Sequence, residues 1–290
     1  MIPRAYIQAW STRAPWPDLR QVEQDLIISR ALCDLFNAPT LHGKIAFRGG
    51  TAIHKLLFER PLRYSEDIDL VQTRAEPIGA TVDAIRDALS WLGKCNRAQA
   101  GHSMHLVFKF APESEPEMTL KLKVEVNTRE HASLHGLKSY PFGVENDWYQ
   151  AKVEIASFTP EELFGTKLRA LLQRRKNRDM FDLHYGLERL AIDDGQLVAC
   201  FHHYLKLEGQ QITRAMAEQR MLQKLTTSLI EDIAPLLPTG VRYSESEAVE
   251  AFNGIWTRLI MKLKGAPWKS SDEAITELRL KRFPKLLLNG

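Results

Sequence analysis

Asp67 and Asp69 stand one residue apart in the stretch Ser65-Glu66-Asp67-Ile68-Asp69-Leu70-Val71. On a β-strand, residues i and i+2 project to the same side, so both carboxylates point together with their backbones about 7 Å apart, while Ile68 and Leu70 fill the opposite face. Two neighbouring carboxylates repel one another, and such a pair is favoured where a divalent cation neutralises it. Hard oxygen ligands with positions left for phosphate oxygens suit Mg²⁺ (or Mn²⁺). Glu125 is the third candidate ligand. In Thr119–Asn127, Leu120, Leu122, Val124 and Val126 share one face, and Lys121, Lys123, Glu125 and Asn127 share the other. Taken alone, Glu125 equally suits a solvated edge strand; the ordered set of three acids points to phosphate chemistry.

Upstream, Gly49-Gly50-Thr51 lies between a predicted strand, Lys44–Arg48, and a predicted helix, Ala52–Phe58. Two residues without Cβ atoms let backbone N–H groups approach a ligand closely, and the helix start offers unpaired N–H groups to a phosphate. A plain tight turn accounts for the Gly pair equally well when it is considered by itself.

A second constellation lies in the other half of the chain. Thr159-Pro160-Glu161-Glu162 is a helix start, with Thr159 as N-cap and Glu162 completing a capping box. Running that helix forward places Lys167 on the apolar stripe, between Leu163 and Leu171. A lysine there either snorkels to water or meets an anion, such as a nucleotide phosphate. Arg174-Arg175-Lys176-Asn177-Arg178 follows, and then Asp179-Met180-Phe181-Asp182-Leu183. If the helix persists, Arg174 and Arg178 extend a basic stripe from Lys167 toward a triphosphate or RNA backbone; a solvated helix end is the alternative. Asp179 is expected to pair with Arg175 or to cap the next helix.

The elements that must position these groups follow from periodicity. Leu19–Phe36 predicts an amphipathic helix capped by Asp18, and Glu76–Leu92 a second long helix. Strands are predicted at Asp67–Val71, His105–Phe110, Thr119–Asn127 and Lys152–Ala156, and nothing after Phe158 resembles a strand. The chain thus divides into a mixed α/β half, residues 1–156, and an all-helical half, residues 157–290.

Composition sets the outer limits. The 290 residues are 44% hydrophobic and 26% charged, which excludes disordered, collagen-like and coiled-coil classes. The formal net charge of +3 permits nucleic-acid or nucleotide binding without demanding it. The three cysteines are far apart, as expected in a reducing compartment without structural zinc. The first residues lack the apolar region of a secretory signal and no run is long enough to span a membrane, so a cytoplasmic location is expected. The histidines lack HExxH spacing. His54, one helical turn past Gly50, is not expected to reach a nucleotide. Trp256 and Trp268 with Lys262, Lys264 and Lys269 suit either an RNA-contacting face or an amphipathic core helix.

FRGGTAIHKLL followed by RYSEDIDLV resembles the Gly-Gly and Ser-x-Asp-x-Asp signature of polymerase-β-like nucleotidyltransferases, and within them the AbiEii/AbiGii toxin branch. The K-x-x-A-x-x-x-R and R-D-x-x-D-L wording around Lys167 and Asp182 is similar to that branch's second motif block. The resemblance spans roughly residues 40–190, and no motif is assigned beyond residue 190. It implies an α/β (α+β) core with a small mixed sheet, followed by a helical domain. It also implies transfer of a nucleoside monophosphate from an NTP to a hydroxyl, with release of pyrophosphate. Asp67 and Asp69 would be metal ligands and Glu125 a third carboxylate. Gly49, Gly50, Thr51 and Ser65 would meet the nucleotide, Ser65 being as well explained by a polar strand opening. Lys167 would hold the triphosphate, and Asp182 would orient Lys167 or act as general base. A cleft between the two halves is expected to bring these groups together. The implied acceptor is RNA, with the tRNA 3′ end leading, and the outcome is arrested translation. The implied partner is an AbiEi-like, DNA-binding antitoxin that need not touch the toxin. Two alternatives stay open: a nucleotidyltransferase for small molecules or proteins, and a non-catalytic GTP- or ATP-binding module.

Overall fold

A computed structural model describes residues 2–226 and 229–288. The chain forms two units, residues 1–159 with 236–240 and residues 160–235 with 241–290. Among the described residues no helix is long and apolar enough to cross a membrane.

The first unit carries helices α1 (Arg4–Trp10), α2 (Leu19–Asn37), α3 (Gly49–Leu56) and α4 (Gly79–Ala88). Its strands are β1 (Ile45–Arg48), β2 (Asp67–Gln72), β3 (Cys95–Ala100), β4 (Ser103–Phe110), β5 (Leu120–Asn127), β6 (Lys138–Asn146) and β7 (Tyr149–Ser157). They form one mixed sheet in the order β3-β4-β5-β2-β1-β7-β6. β2/β5 and β1/β7 are parallel, and the other neighbours are antiparallel. The alternation predicted for β5 appears as fully buried Leu122, Val124 and Val126, and β2 contributes Ile68 and Leu70 to the same core.

α2 begins where expected, with Asp18 accepting a bond from Arg20 N at 2.9 Å. It is buried around most of its circumference rather than on one stripe, from Val22 through Ser29. Its acids survive burial because they are partnered. Glu23 accepts from Glu113 N at 2.8 Å, and Asp25 receives Trp10 Nε1 at 2.9 Å and Lys55 Nζ at 3.0 Å.

Two sequence expectations need correction in this unit, and two of its strands, β3 and β6, were not predicted. The predicted helix Glu76–Leu92 begins only at Gly79, after Pro77, and ends at Ala88 before a separate 3₁₀ turn, Ser90–Leu92. The Gly pair belongs to the first turn of α3 rather than preceding it. β3 carries no apolar alternation and is nearly all exposed; its backbone pairing with β4 makes it a strand. β6 contains Pro141, which a sheet edge tolerates because one side of the strand needs no ladder donor.

The second unit is helical throughout its described residues: α5 (Pro160–Gln173), α6 (Arg178–Arg189), α7 (Asp194–Leu207), α8 (Arg214–Thr226), α9 (Glu245–Arg258) and α10 (Ser271–Lys281). α5 and α6 pack closely because a Cβ on Gly186 would lie only 2.2 Å from Phe164 Cε1. Trp256 is buried and stacks on Phe252 with centroids 5.5 Å apart, and Lys262 pairs with Asp194, as in a core helix with a wet side.

Candidate active site

The acidic pair emerges from strand pairing. β1 runs antiparallel to β2 with Arg48 opposite Asp69, so the chain leaves β1 and enters α3 immediately beside that carboxylate. Gly49 has φ +82°, and a Cβ built on it would fall 2.1 Å from Asp69 Oδ2. Only glycine satisfies both the left-handed backbone and the close approach. Arg48, at the N-cap of α3, makes no side-chain capping bond, so this helix start keeps its first-turn N–H groups for another partner.

Thr51 and Ser65 serve the scaffold. Thr51 Oγ1 donates to the Asp67 carbonyl at 2.5 Å and lies 2.8 Å from Ser65 Oγ, and Thr51 is buried. These contacts tie the first turn of α3 to the start of β2, fixing Gly49 and Gly50 relative to Asp67.

Parallel pairing of β2 with β5 sets Asp67 beside Lys123 and Asp69 beside Glu125. β4 places His105 beside Glu125 on the other side. A single row of side chains therefore crosses four strands: Arg48, Asp69, Glu125, His105. Glu125 Oε2 accepts from Lys123 Nζ at 3.1 Å and lies 3.2 Å from His105 Nε2. Arg48 forms a partly buried ion pair with Glu130, whose backbone N–H donates to Asn127 Oδ1 at 2.8 Å.

Electrostatics distinguishes the carboxyls. Burial raises the pKa of Asp69 above the ordinary carboxylate value; Arg48 opposes this, and Glu125 and Asp67 add to it. For Glu125, burial also pushes upward, yet hydrogen bonds from Lys123 and Ser103 outweigh it and hold the carboxyl below its usual value. Lys123 is penalised by burial but held above its ordinary value by Asp67, Glu125 and Asp69.

In the second unit, Lys167 Nζ stands 2.9 Å from Asp179 Oδ1 and 2.8 Å from Asp182 Oδ2. All three are buried, with side-chain exposures of 9%, 1% and 0%. Lys167 is thus anchored by two acids rather than snorkelling to water. Asp179 pairs with Lys167, not with Arg175. The expected basic stripe does not form, because α5 stops at Gln173 and α6 starts only at Arg178. Lys224 on α8 spans that break, donating to the carbonyls of Arg174 at 2.6 Å and Lys176 at 3.3 Å. Asp232 accepts from Asn177 N at 2.8 Å and Arg178 N at 3.3 Å, satisfying the start of α6. Glu162 accepts from Tyr204 Oη at 2.8 Å. His54 is buried beside Phe58, with ring centroids 6.2 Å apart.

The sequence profile described as "Nucleotidyl transferase AbiEii toxin, Type IV TA system" matches residues 30–255. The chain belongs to the AbiEii toxin family. As an AbiEii chain it is a nucleotidyltransferase, and its toxin–antitoxin family implies a nucleotide substrate and an antitoxin counterpart. No curated protein matches it. Among solved structures it is similar to MenT4, the nucleotidyltransferase toxin Rv2826c from Mycobacterium tuberculosis H37Rv, with 15% identity and a TM-score of 0.61 over 99% of this chain and 98% of that one. It is also similar to JHP933 from Helicobacter pylori, with 16% identity and a TM-score of 0.54 over 90% of this chain and 97% of that one. These likenesses bear on the fold.

Within this AbiEii fold the donor set fits a divalent ion. Among the described residues no three His, Cys, Asp or Glu side chains converge as a ready-made metal cage. Mg²⁺ does not need one: it is usually held by one or two carboxylates, with water and substrate phosphates completing its octahedron. Asp67 and Asp69 supply that minimum. Three groups beside the acids were missed in the sequence: Arg48, Lys123 and His105. Strand alternation already set Lys123 on the face of Glu125, two residues away. His105 and Arg48 required the cross-strand register.

Proposed function

We propose that this AbiEii chain transfers a nucleoside monophosphate from an NTP to the 3′ end of an RNA, with tRNA as the acceptor, and thereby blocks translation. The observation that carries this reading is the packing of Gly49 against Asp69. It sets the uncapped start of α3 beside a pair of carboxylates on one face of β2.

Asp67 and Asp69 hold Mg²⁺ or Mn²⁺, which when bound neutralises charge on the transferred phosphoryl group and the departing pyrophosphate. Gly49 and Gly50 lend backbone N–H groups to phosphate oxygens. Thr51 and Ser65 keep that turn in register with β2. Lys167 is assigned to the triphosphate, as the family resemblance implies. Asp182, fully buried against it, orients that ammonium. The reaction is assigned to the cytoplasm, with an AbiEi-like antitoxin as regulatory counterpart.

The test is expression in growing cells of the wild type, Asp67→Ala and Lys167→Ala, followed by incubation of each purified protein with labelled NTPs and total tRNA. Growth arrest and label on tRNA from the wild type alone support the proposal. Equal toxicity from all three, or label appearing on protein or a small molecule instead, overturns it.

A further inference from the structure

Lys123 and Asp67 are register partners on β5 and β2, so their side chains leave the same face of the sheet. Lys123 Nζ lies 3.7 Å from Asp67 Oδ2 and 3.1 Å from Glu125 Oε2. One ammonium therefore serves two acids, with a third, Asp69, beside Glu125 in the next row. Glu125 is held from the other side by His105 Nε2 at 3.2 Å. Lys123 is about one-third exposed, and its four-carbon stem leaves the ammonium free to change partners.

A cation approaching Asp67 meets a positive charge already in place, and like charges at this separation oppose one another. A triphosphate reverses the balance, because it offers the ammonium several negative oxygens in exchange for one carboxylate. We propose that Lys123 is an internal counter-ion of Asp67, tethered by Glu125, that weakens metal binding until a nucleotide's phosphates draw the ammonium away. Metal and triphosphate then bind with positive coupling, each favouring the other. Glu125 is a positioning residue for Lys123 and not a metal ligand. No bond forms or breaks in this exchange. The inference rests on the assignment of Asp67 and Asp69 to the metal, and the experiment separates the two.

Mn²⁺ is titrated into the full-length protein with free Mn²⁺ followed by electron paramagnetic resonance, with and without inorganic tripolyphosphate as a base-independent probe. The variants are Lys123→Met, Lys123→Gln, Glu125→Gln and Asp67→Asn. Without tripolyphosphate, both Lys123 variants are expected to bind Mn²⁺ about tenfold more tightly than the wild type, the scale on which one adjacent charge acts on a carboxylate. Tripolyphosphate strengthens Mn²⁺ binding in the wild type and much less in the Lys123 variants. Glu125→Gln changes Mn²⁺ affinity far less than Asp67→Asn does. Unchanged or weaker binding by whichever Lys123 variants fold, with Asp67→Asn impaired, overturns the counter-ion role and leaves the metal assignment standing. A loss in Glu125→Gln as large as in Asp67→Asn overturns the positioning role. Mn²⁺ binding by Asp67→Asn equal to the wild type overturns the metal assignment and this inference with it.

Discussion

Gly49 Cα faces the carboxylate of Asp69 so closely that a methyl group on it would lie 2.1 Å from Oδ2. Substituting Gly49→Ala must push Asp69 aside or shift the start of α3, and it also places a side chain at φ +82°. The strained backbone alone costs on the order of 1–3 kcal/mol. Displacing this carboxylate, which is proposed to hold the metal, by a fraction of an ångström to an ångström is expected to lower nucleotidyl transfer about a hundredfold. Rate measurements on purified Gly49→Ala, beside its thermal melt, check both figures. Activity within twofold of the wild type would contradict the packing constraint.

Asp67→Asn and Asp69→Asn keep size and shape while removing charge. Each is expected to lower transfer by about a thousandfold, in line with the several kcal/mol a bound metal contributes. Raising Mg²⁺ or Mn²⁺ should restore part of that loss, and steady-state assays over a metal titration read it directly.

Lys167 pairs with both Asp179 and Asp182, which makes the trio a coupled unit. Lys167→Met removes a buried ammonium from two buried acids and should cost about 3–5 kcal/mol. Combining it with Asp182→Asn should cost less than the two single changes added together, with a coupling of about 0.5–3 kcal/mol. Urea unfolding of the four proteins in the cycle measures this. Simple additivity would mean that the trio contributes nothing as a unit.

Burial lowers the pKa of Lys224 below its ordinary 10.5, with Asp179 and Asp232 opposing the shift. The unfolded chain holds that proton up to 10.5, whereas the folded chain releases it at a lower pH. Between those two values the unfolded state binds more protons, so stability rises with pH across this window and levels off above it. Below the folded-state value both states carry the proton and the burial penalty is constant. Unfolding free energies at closely spaced alkaline pH, compared with Lys224→Gln, should show the rise in the wild type and its loss in the variant. Parallel profiles would assign the slope to other groups.

Much of the chemistry was legible in the linear chain because it depends on short-range periodicity. Alternation alone set Asp67 and Asp69 on one face of β2 and buried Leu122, Val124 and Val126 on the other side of β5 from Glu125. Asp18 marked the start of α2, and the helical character of the described residues after Phe158 followed from composition and spacing. β3 and β6 escaped notice because they are edge strands. Exposed Asn96, Arg97 and Gln99, or Pro141 within β6, leave no apolar alternation to detect, and pairing with a neighbour does the rest.

The sequence by itself determined which acids share a face, where the glycines stand, and that Lys167 lies on an apolar stripe. Tertiary structure alone decided their partners. Strand register set Lys123 against Asp67 and His105 against Glu125, and the close crossing of α5 and α6 at Phe164 and Gly186 brought both Asp179 and Asp182 to Lys167. The physical reason is range. Periodicity along the chain fixes the direction of a side chain over a few residues, whereas the charge it meets is set by register and packing between segments distant in sequence.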